Sequence, residues 1–197
     1  MKTIIIATNN LNKVREFKSL FPHQDIEFKS LSDIGYTKEI IENGTSFEEN
    51  AVIKARQVAT ELGMTAISDD SGLEVEALGG APGIYSARYA GGHNDDENNA
   101  LLLKNLRGKS NRNARYVCAV CVCQPDGTYK TVTGTCQGKI IDEARGHNGF
   151  GYDPYFYVEE FQRTFAEITL EQKNTISHRA KALRAIQDIC YADFSFK

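Results

Sequence analysis

Apolar positions along the chain switch repeatedly between a period of two and a period near 3.6, the signature of strands alternating with helices. Thr3 to Ala7 is a short apolar run that reads as a first strand. Lys13 to Phe21 then sets Val14, Phe17 and Leu20/Phe21 on one helical face. A long helix is expected from about Phe47 to Leu62. Thr45-x-x-Glu48 and Ser46-x-x-Glu49 both have the form of a capping box, and Gly63 supplies the stop. Thr65 to Asp69 reads as a buried strand entering Asp70-Ser71-Gly72, and Leu73 to Ala77 carries the sheet on. Gly79-Gly80-Ala81-Pro82-Gly83 is loop chemistry. Asn94-Asp95-Asp96-Glu97 opens a helix that ends before Gly108, its acids suited to the positive helix end. Tyr116 to Cys123 and Tyr129 to Cys136, joined by Pro125-Asp126-Gly127, form a β-hairpin. A glycine-rich loop from Gly146 to Pro154 leads into a short strand, Tyr155 to Val158. The last helix spans about Ser177 to Cys190, apolar at Ala182, Leu183, Ile186 and Ile189. The class is α/β with a mixed sheet. No repeat, low-complexity tract or Pro/Ser-rich linker interrupts residues 1–197, so a single domain is expected, compact or in two lobes sharing a core.

Charge narrows the partners. With 26 acids against 23 bases and no basic run, the chain is not built to grip a nucleic-acid backbone. A small anionic ligand needs only a few well-placed cations. Ile4 to Ala7 falls far short of the roughly 20 residues of a membrane helix, and Thr8-Asn9-Asn10 cuts the run off before it could form a signal peptide. A cytoplasmic protein away from membranes is expected. Cys118-x-x-Cys121 invites a zinc or redox reading. On a strand, however, residues three apart face opposite ways, so buried reduced thiols are the expectation.

Four segments carry candidate chemistry. Thr8-Asn9-Asn10-Leu11-Asn12-Lys13 lies between a strand and a helix, where free N–H groups and a lysine charge suit an anion; the plain alternative is an N-cap with a surface lysine. Asp69-Asp70-Ser71 ends an apolar strand, and buried carboxylates there call for metal or hydrogen bonds. Magnesium takes one or two protein carboxylates with waters and substrate phosphates, whereas a simple turn would bond the Asp side chains locally. Phe150 and Tyr152, among the glycines of Gly149-Phe150-Gly151-Tyr152-Asp153-Pro154, offer a stacking surface for a nucleobase, or a contact under a loop. Lys173 and Ser177-His178-Arg179 place hydrogen-bond donors at the last helix, or a solvated helix start. Together these are the parts of a nucleotide site.

The motifs resemble those of the inosine/xanthosine triphosphate pyrophosphatases. The match comprises Ile5-Ile6-Ala7-Thr8-Asn9-Asn10-x-x-Lys13, Thr45-x-Phe47-x-Glu49-Asn50-Ala51-x-x-Lys54-Ala55 and Asp69-Asp70-Ser71-Gly72-Leu73. It continues through Leu78-Gly-Gly-Ala-Pro-Gly-Ile-Tyr-Ser-Ala-Arg88-Tyr89, Gly149-Phe-Gly-Tyr-Asp-Pro154 and Ser177-His178-Arg179. It implies a two-lobed α/β fold around a long mixed sheet, an active site in the cleft between the lobes, a magnesium cofactor and a homodimer. Thr8, Asn9, Asn10, Leu11, Asn12 and Lys13 would hold the triphosphate. Asp70 would be the catalytic residue, serving the metal and the attacking water, with Ser71 beside it on the substrate. Phe150, Gly151, Tyr152, Asp153, Lys173, His178 and Arg179 would bind substrate, the last two at the base. Position 41 is Ile, where many relatives carry an acid, so a second metal carboxylate falls to Glu42, Glu49 or water. The implied activity is hydrolysis of non-standard purine nucleoside triphosphates. A pyrophosphatase for other modified nucleotides and a nucleotide sensor without turnover are the alternatives.

Overall fold

In the computed structural model of the chain, residues 2–20 and 26–193 are described. The elements are β1 (Lys2–Ile6), α1 (Leu11–Leu20), β2 (Ile26–Ser30), α2 (Phe47–Leu62), β3 (Ala66–Val75), α3 (Asp95–Leu106), β4 (Asn113–Cys123) and β5 (Tyr129–Ile140). They continue with β6 (Phe156–Val158), β7 (Arg163–Thr164), α4 (Leu170–Ile176) and α5 (His178–Asp193). One seven-stranded sheet runs in the order β2-β1-β3-β4-β5-β6-β7. β1 is parallel to β2 and β3, whereas β6 is antiparallel to β5 and β7. The expected mixed α/β class is therefore what forms. Phe21, placed on the first helix by its spacing, lies outside the described residues.

The chain divides into two units, one of Met1–Asp70, Cys118–Gly134 and Arg179–Lys197, the other of Ser71–Val117 and Thr135–His178. In the first, Ile4 and Ile6 of β1, Val14 and Phe17 of α1, Val120 and Val122 of β4, and Leu183 and Ile186 of α5 close a core. Burying each such side chain is worth about 1.5–3 kcal/mol. In the second, Leu73, Leu102, Leu106, Tyr116, Phe156 and Phe165 do the same.

Caps fix the ends of the helices that carry polar residues. Ser46 accepts the Glu49 N–H at the start of α2, and Gly63 ends it in the left-handed region at φ 62°. The Glu49 carboxylate reaches back one residue further than a standard box, taking the N–H and hydroxyl of Thr45. Asn94 caps α3 through the Glu97 N–H.

Candidate active site

In the first unit the chemistry radiates from β3. Successive side chains of a strand point to opposite faces, and the hydrogen bonds follow that alternation. Ser68 donates to the Ala51 carbonyl of α2 at 2.5 Å. Asp70, two residues on, also meets α2, accepting from the Asn50 amide at 3.1 Å and from Lys54 at 3.5 Å. Asp69 meets α1 and α5 instead. The two adjacent carboxylates thus lie on opposite faces of the strand, and the continuous strand through Gly72 excludes a local turn.

Lys54 is shared. Its ammonium lies 2.7 Å from Glu42 and 3.5 Å from Asp70. Burial disfavours the Lys54 charge, but Asp70 and Glu42 more than offset this and raise its pKa. Burial raises the pKa of Asp70 too, even with Lys54 and Lys13 acting against it. Asn50 ties the arrangement together, since its Oδ1 accepts the Gly44 N–H at 2.9 Å while its amide holds Asp70. Of the two carboxylates weighed for position 41's missing acid, Glu49 is engaged at the helix cap and Glu42 shares a cation with Asp70. Asp70 and Glu42 are hard oxygen donors of the type magnesium takes.

Asp69 is fully buried, and its Oδ2 gathers Lys13 at 3.1 Å, Arg179 Nε at 3.2 Å, Arg179 Nη2 at 3.1 Å and the Cys118 thiol at 3.7 Å. Arg179 also donates from Nη1 to Glu16. Burial alone would push Asp69 up, yet Lys13 and Arg179 hold its carboxyl well below the usual range. Lys13 thus pairs with Asp69 rather than standing as a plain surface lysine, and the Arg179 guanidinium lies on two carboxylates rather than at a solvated helix start.

The Thr8–Lys13 segment is capped from within. Asn10 Oδ1 accepts the N–H groups of Asn12 at 3.0 Å and Lys13 at 3.2 Å, and Thr8 Oγ1 accepts that of Asn10 at 3.2 Å. Asn9, Asn10 and Leu11 remain exposed at the positive end of α1.

The second unit holds a separate polar cluster around Asp153. Its Oδ2 accepts Lys173 Nζ at 2.7 Å and the Phe150 N–H at 3.0 Å; its Oδ1 accepts the Tyr116 hydroxyl at 3.2 Å. Gly149 is required here, because a Cβ would stand 2.0 Å from Asp153 Oδ2 and φ is +75°. Lys173 also lies over the Phe150 ring, 5.3 Å from its centroid. His178 is buried and stacks on Tyr116 at 4.6 Å. Gly151 is clasped by α3, its N–H on Asp95 at 2.8 Å and its carbonyl on Asn99 at 2.9 Å. Tyr152 is buried and donates to the Ser86 carbonyl at 2.7 Å, which makes it a core contact. The structure thus brings Phe150, Gly151, Asp153, Lys173 and His178 together. The chain boundaries between units fall at Asp70/Ser71, Val117/Cys118, Gly134/Thr135 and His178/Arg179.

A model of the Ham1 family matches residues 4–189. The chain belongs to the Ham1 family. Among its relatives, a dITP/XTP pyrophosphatase of Bacillus licheniformis is 53% identical over 189 residues, covering 94% of this chain and 96% of that protein. The Bacillus subtilis protein of the same name is 48% identical and covers 98% of each. The solved Ham1 protein of Staphylococcus aureus superposes with a TM-score of 0.88 at 44% identity, covering 98% of this chain and all of that one (100%). A HAM1 protein from Coxiella burnetii gives 0.89 at 38% identity, with 98% and 100% covered.

Within this Ham1 chain, several residues of the polar clusters had no assigned role in the sequence. Asn50 and Lys54 stood in a motif, and their spacing of four places them on one helix face toward Asp70. Glu16 and Tyr116 gave no signal, since one reads as an ordinary helix position and the other as a strand aromatic. As expected, the thiols of Cys118, Cys121, Cys123 and Cys136 are buried and form no disulfide.

Proposed function

We propose that the chain hydrolyses non-standard purine nucleoside triphosphates (ITP, dITP and XTP) to the monophosphate and pyrophosphate, keeping them out of nucleic acids. Full-length likeness to proteins named dITP/XTP pyrophosphatase supports the substrate class. The observation that carries the chemistry is the buried Asp70 carboxylate, held by Asn50 and Lys54 with Glu42 on the same ammonium. In the reaction, a water oxygen bonds to the α-phosphorus as the bond to the pyrophosphate oxygen breaks, and the water's proton passes to Asp70. A carboxylate with a raised pKa is a stronger base than an exposed one, which suits that role.

Asp70 and Glu42 fit magnesium. They offer two carboxylate donors without a closed cage, leaving positions for water and phosphate oxygens as that ion prefers. Bound there, magnesium would offset the negative charge of the phosphates. Lys54 adds its own positive charge beside both carboxylates. Thr8, Asn9, Asn10, Leu11, Asn12 and Lys13 receive the triphosphate at the positive end of α1, and Ser71 contacts substrate next to Asp70. Arg179 serves from behind, by holding Asp69 in place. Phe150, Gly151, Asp153, Lys173 and His178 receive the purine. Donors there match a 6-oxo acceptor and leave adenine's amino group unsatisfied, a mismatch that a hydrogen-bonding site rejects strongly. A homodimer in the cytoplasm is the setting implied by the resemblance. No helix among the described residues is long and apolar enough to cross a membrane.

The test is a screen of nucleoside triphosphates for pyrophosphate release with magnesium present. ITP, dITP and XTP should turn over far faster than ATP or GTP. Tight binding without pyrophosphate release would identify a sensor instead.

A further inference from the structure

Tyr116 touches two members of the second unit's polar cluster at once. From β4 its hydroxyl donates to Asp153 Oδ1 at 3.2 Å. Its ring stacks on the His178 imidazole, with centroids 4.6 Å apart and planes 10° from parallel. It also stacks with Phe165 at 5.8 Å and meets the Phe156 edge at 4.6 Å. A ring in this position would satisfy the core as Phe. A buried hydroxyl is costly unless it is bonded, so its place on a carboxylate calls for an account.

We propose that Tyr116 is a positioning residue for purine selection: its hydroxyl orients Asp153 and its ring orients the imidazole of His178. This rests on the reading that Asp153, Lys173 and His178 face the purine. The torsion that spins a carboxylate about its own axis is soft. Asp153 is locked against it by donors from three places: Tyr116 on one oxygen, Lys173 and the Phe150 N–H on the other. Without the phenol, Oδ1 loses that anchor, and Lys173 turns with the carboxylate it grips. The phenol is kept protonated, since burial first and the Asp153 charge second push its pKa well above the usual value, so it acts as donor. The imidazole plane is set separately, by face-to-face contact with the same ring.

Two variants separate the two arms. Tyr116→Phe keeps the ring and removes the donor. It should melt near the parent, raise KM for ITP about tenfold, the scale of one hydrogen bond to a charged group, and leave kcat within about twofold. Tyr116→Leu removes the ring as well. It should shift the titration of His178, followed by NMR of the imidazole, whereas Tyr116→Phe should leave that titration close to the parent's. The ITP-to-ATP preference should shrink in both. A parental KM in Tyr116→Phe overturns the role of the hydroxyl, even if Tyr116→Leu does not fold. A parental His178 titration in folded Tyr116→Leu overturns the role of the ring. A parent that releases no pyrophosphate from any purine triphosphate defeats the functional reading instead, and the His178 titrations still decide whether Tyr116 positions that side chain.

Discussion

Among the described residues, Arg179 is the largest side chain that the fold hides completely, at 1% exposure. A guanidinium withdrawn from water must be matched by acids, and it has Glu16 and Asp69. Arg179→Ala would strip both buried carboxylates of their guanidinium partner. It should therefore lower stability by about 3–5 kcal/mol, read from urea unfolding, before any effect on substrate choice is considered. A loss of purine preference at parental stability would return Arg179 to the base. Asp69 makes a second prediction through protons. Its pKa is lower folded than unfolded, where the ordinary value is 3.8, so the unfolded chain binds the proton first as the pH falls. Its stabilisation is complete above that value and lost below it. The gap in melting temperature between the parent and Asp69→Asn should be full at neutral pH and close as the pH drops below 3.8. A gap independent of pH would mean that Asp69 is not held ionised. The partners of Arg179 were not legible beforehand, because the Glu16–Arg179 pair joins positions 163 apart and only folding brings them together.

At the scale of elements, β3 does the sorting. One strand delivers Asp69 and Asp70 to different helices simply because its side chains alternate. Asp70→Asn keeps shape and one oxygen to accept from Asn50, while Glu42 still pairs Lys54, so it should abolish hydrolysis while melting near the parent. Asp69→Asn should show the reverse balance, less stable and less impaired in turnover. Paired melting curves and turnover rates decide between them, and a dead but stable Asp69→Asn would move the chemistry to Asp69. The alternation was readable from sequence, as were α2, α3, α5 and the β4–β5 hairpin, all long and strongly patterned. α4 was not, because Leu170–Ile176 is only about two polar turns, although Thr169-x-x-Gln172 is a capping box. β2 was also missed, its five residues being too few to declare a period. Within Thr8–Lys13 the spacing did not show that Asn10 itself accepts the amides of Asn12 and Lys13, a cap that forms only once the chain turns into α1.

For the whole molecule, the motifs spread over nearly the full chain made the family legible, since each demands a particular residue at a particular spacing. They did not disclose the lysine between the carboxylates, which depends on Glu42 and Asp70 approaching one helix position from separate segments. That arrangement makes a prediction about the metal. Chelation with EDTA should stop pyrophosphate release and leave the melting curve unchanged, because the carboxylates already have Lys54 and Asn50 for partners. Magnesium should restore activity and zinc should not, as the described residues contain no nitrogen or sulfur cage. A collapse of the fold on chelation would show a structural ion instead.

The hidden thiols have a practical consequence. Burial pushes Cys118, Cys121 and Cys123 above the usual thiol range, so little reactive thiolate exists while the strands stay shut. Alkylation of these side chains under native conditions then keeps time with spontaneous opening of the β4–β5 hairpin. Any nucleotide that binds only the closed protein must slow that clock in proportion to its occupancy. The rate at which iodoacetamide marks Cys118 thereby weighs candidate ligands against one another without a single bond in them being cleaved.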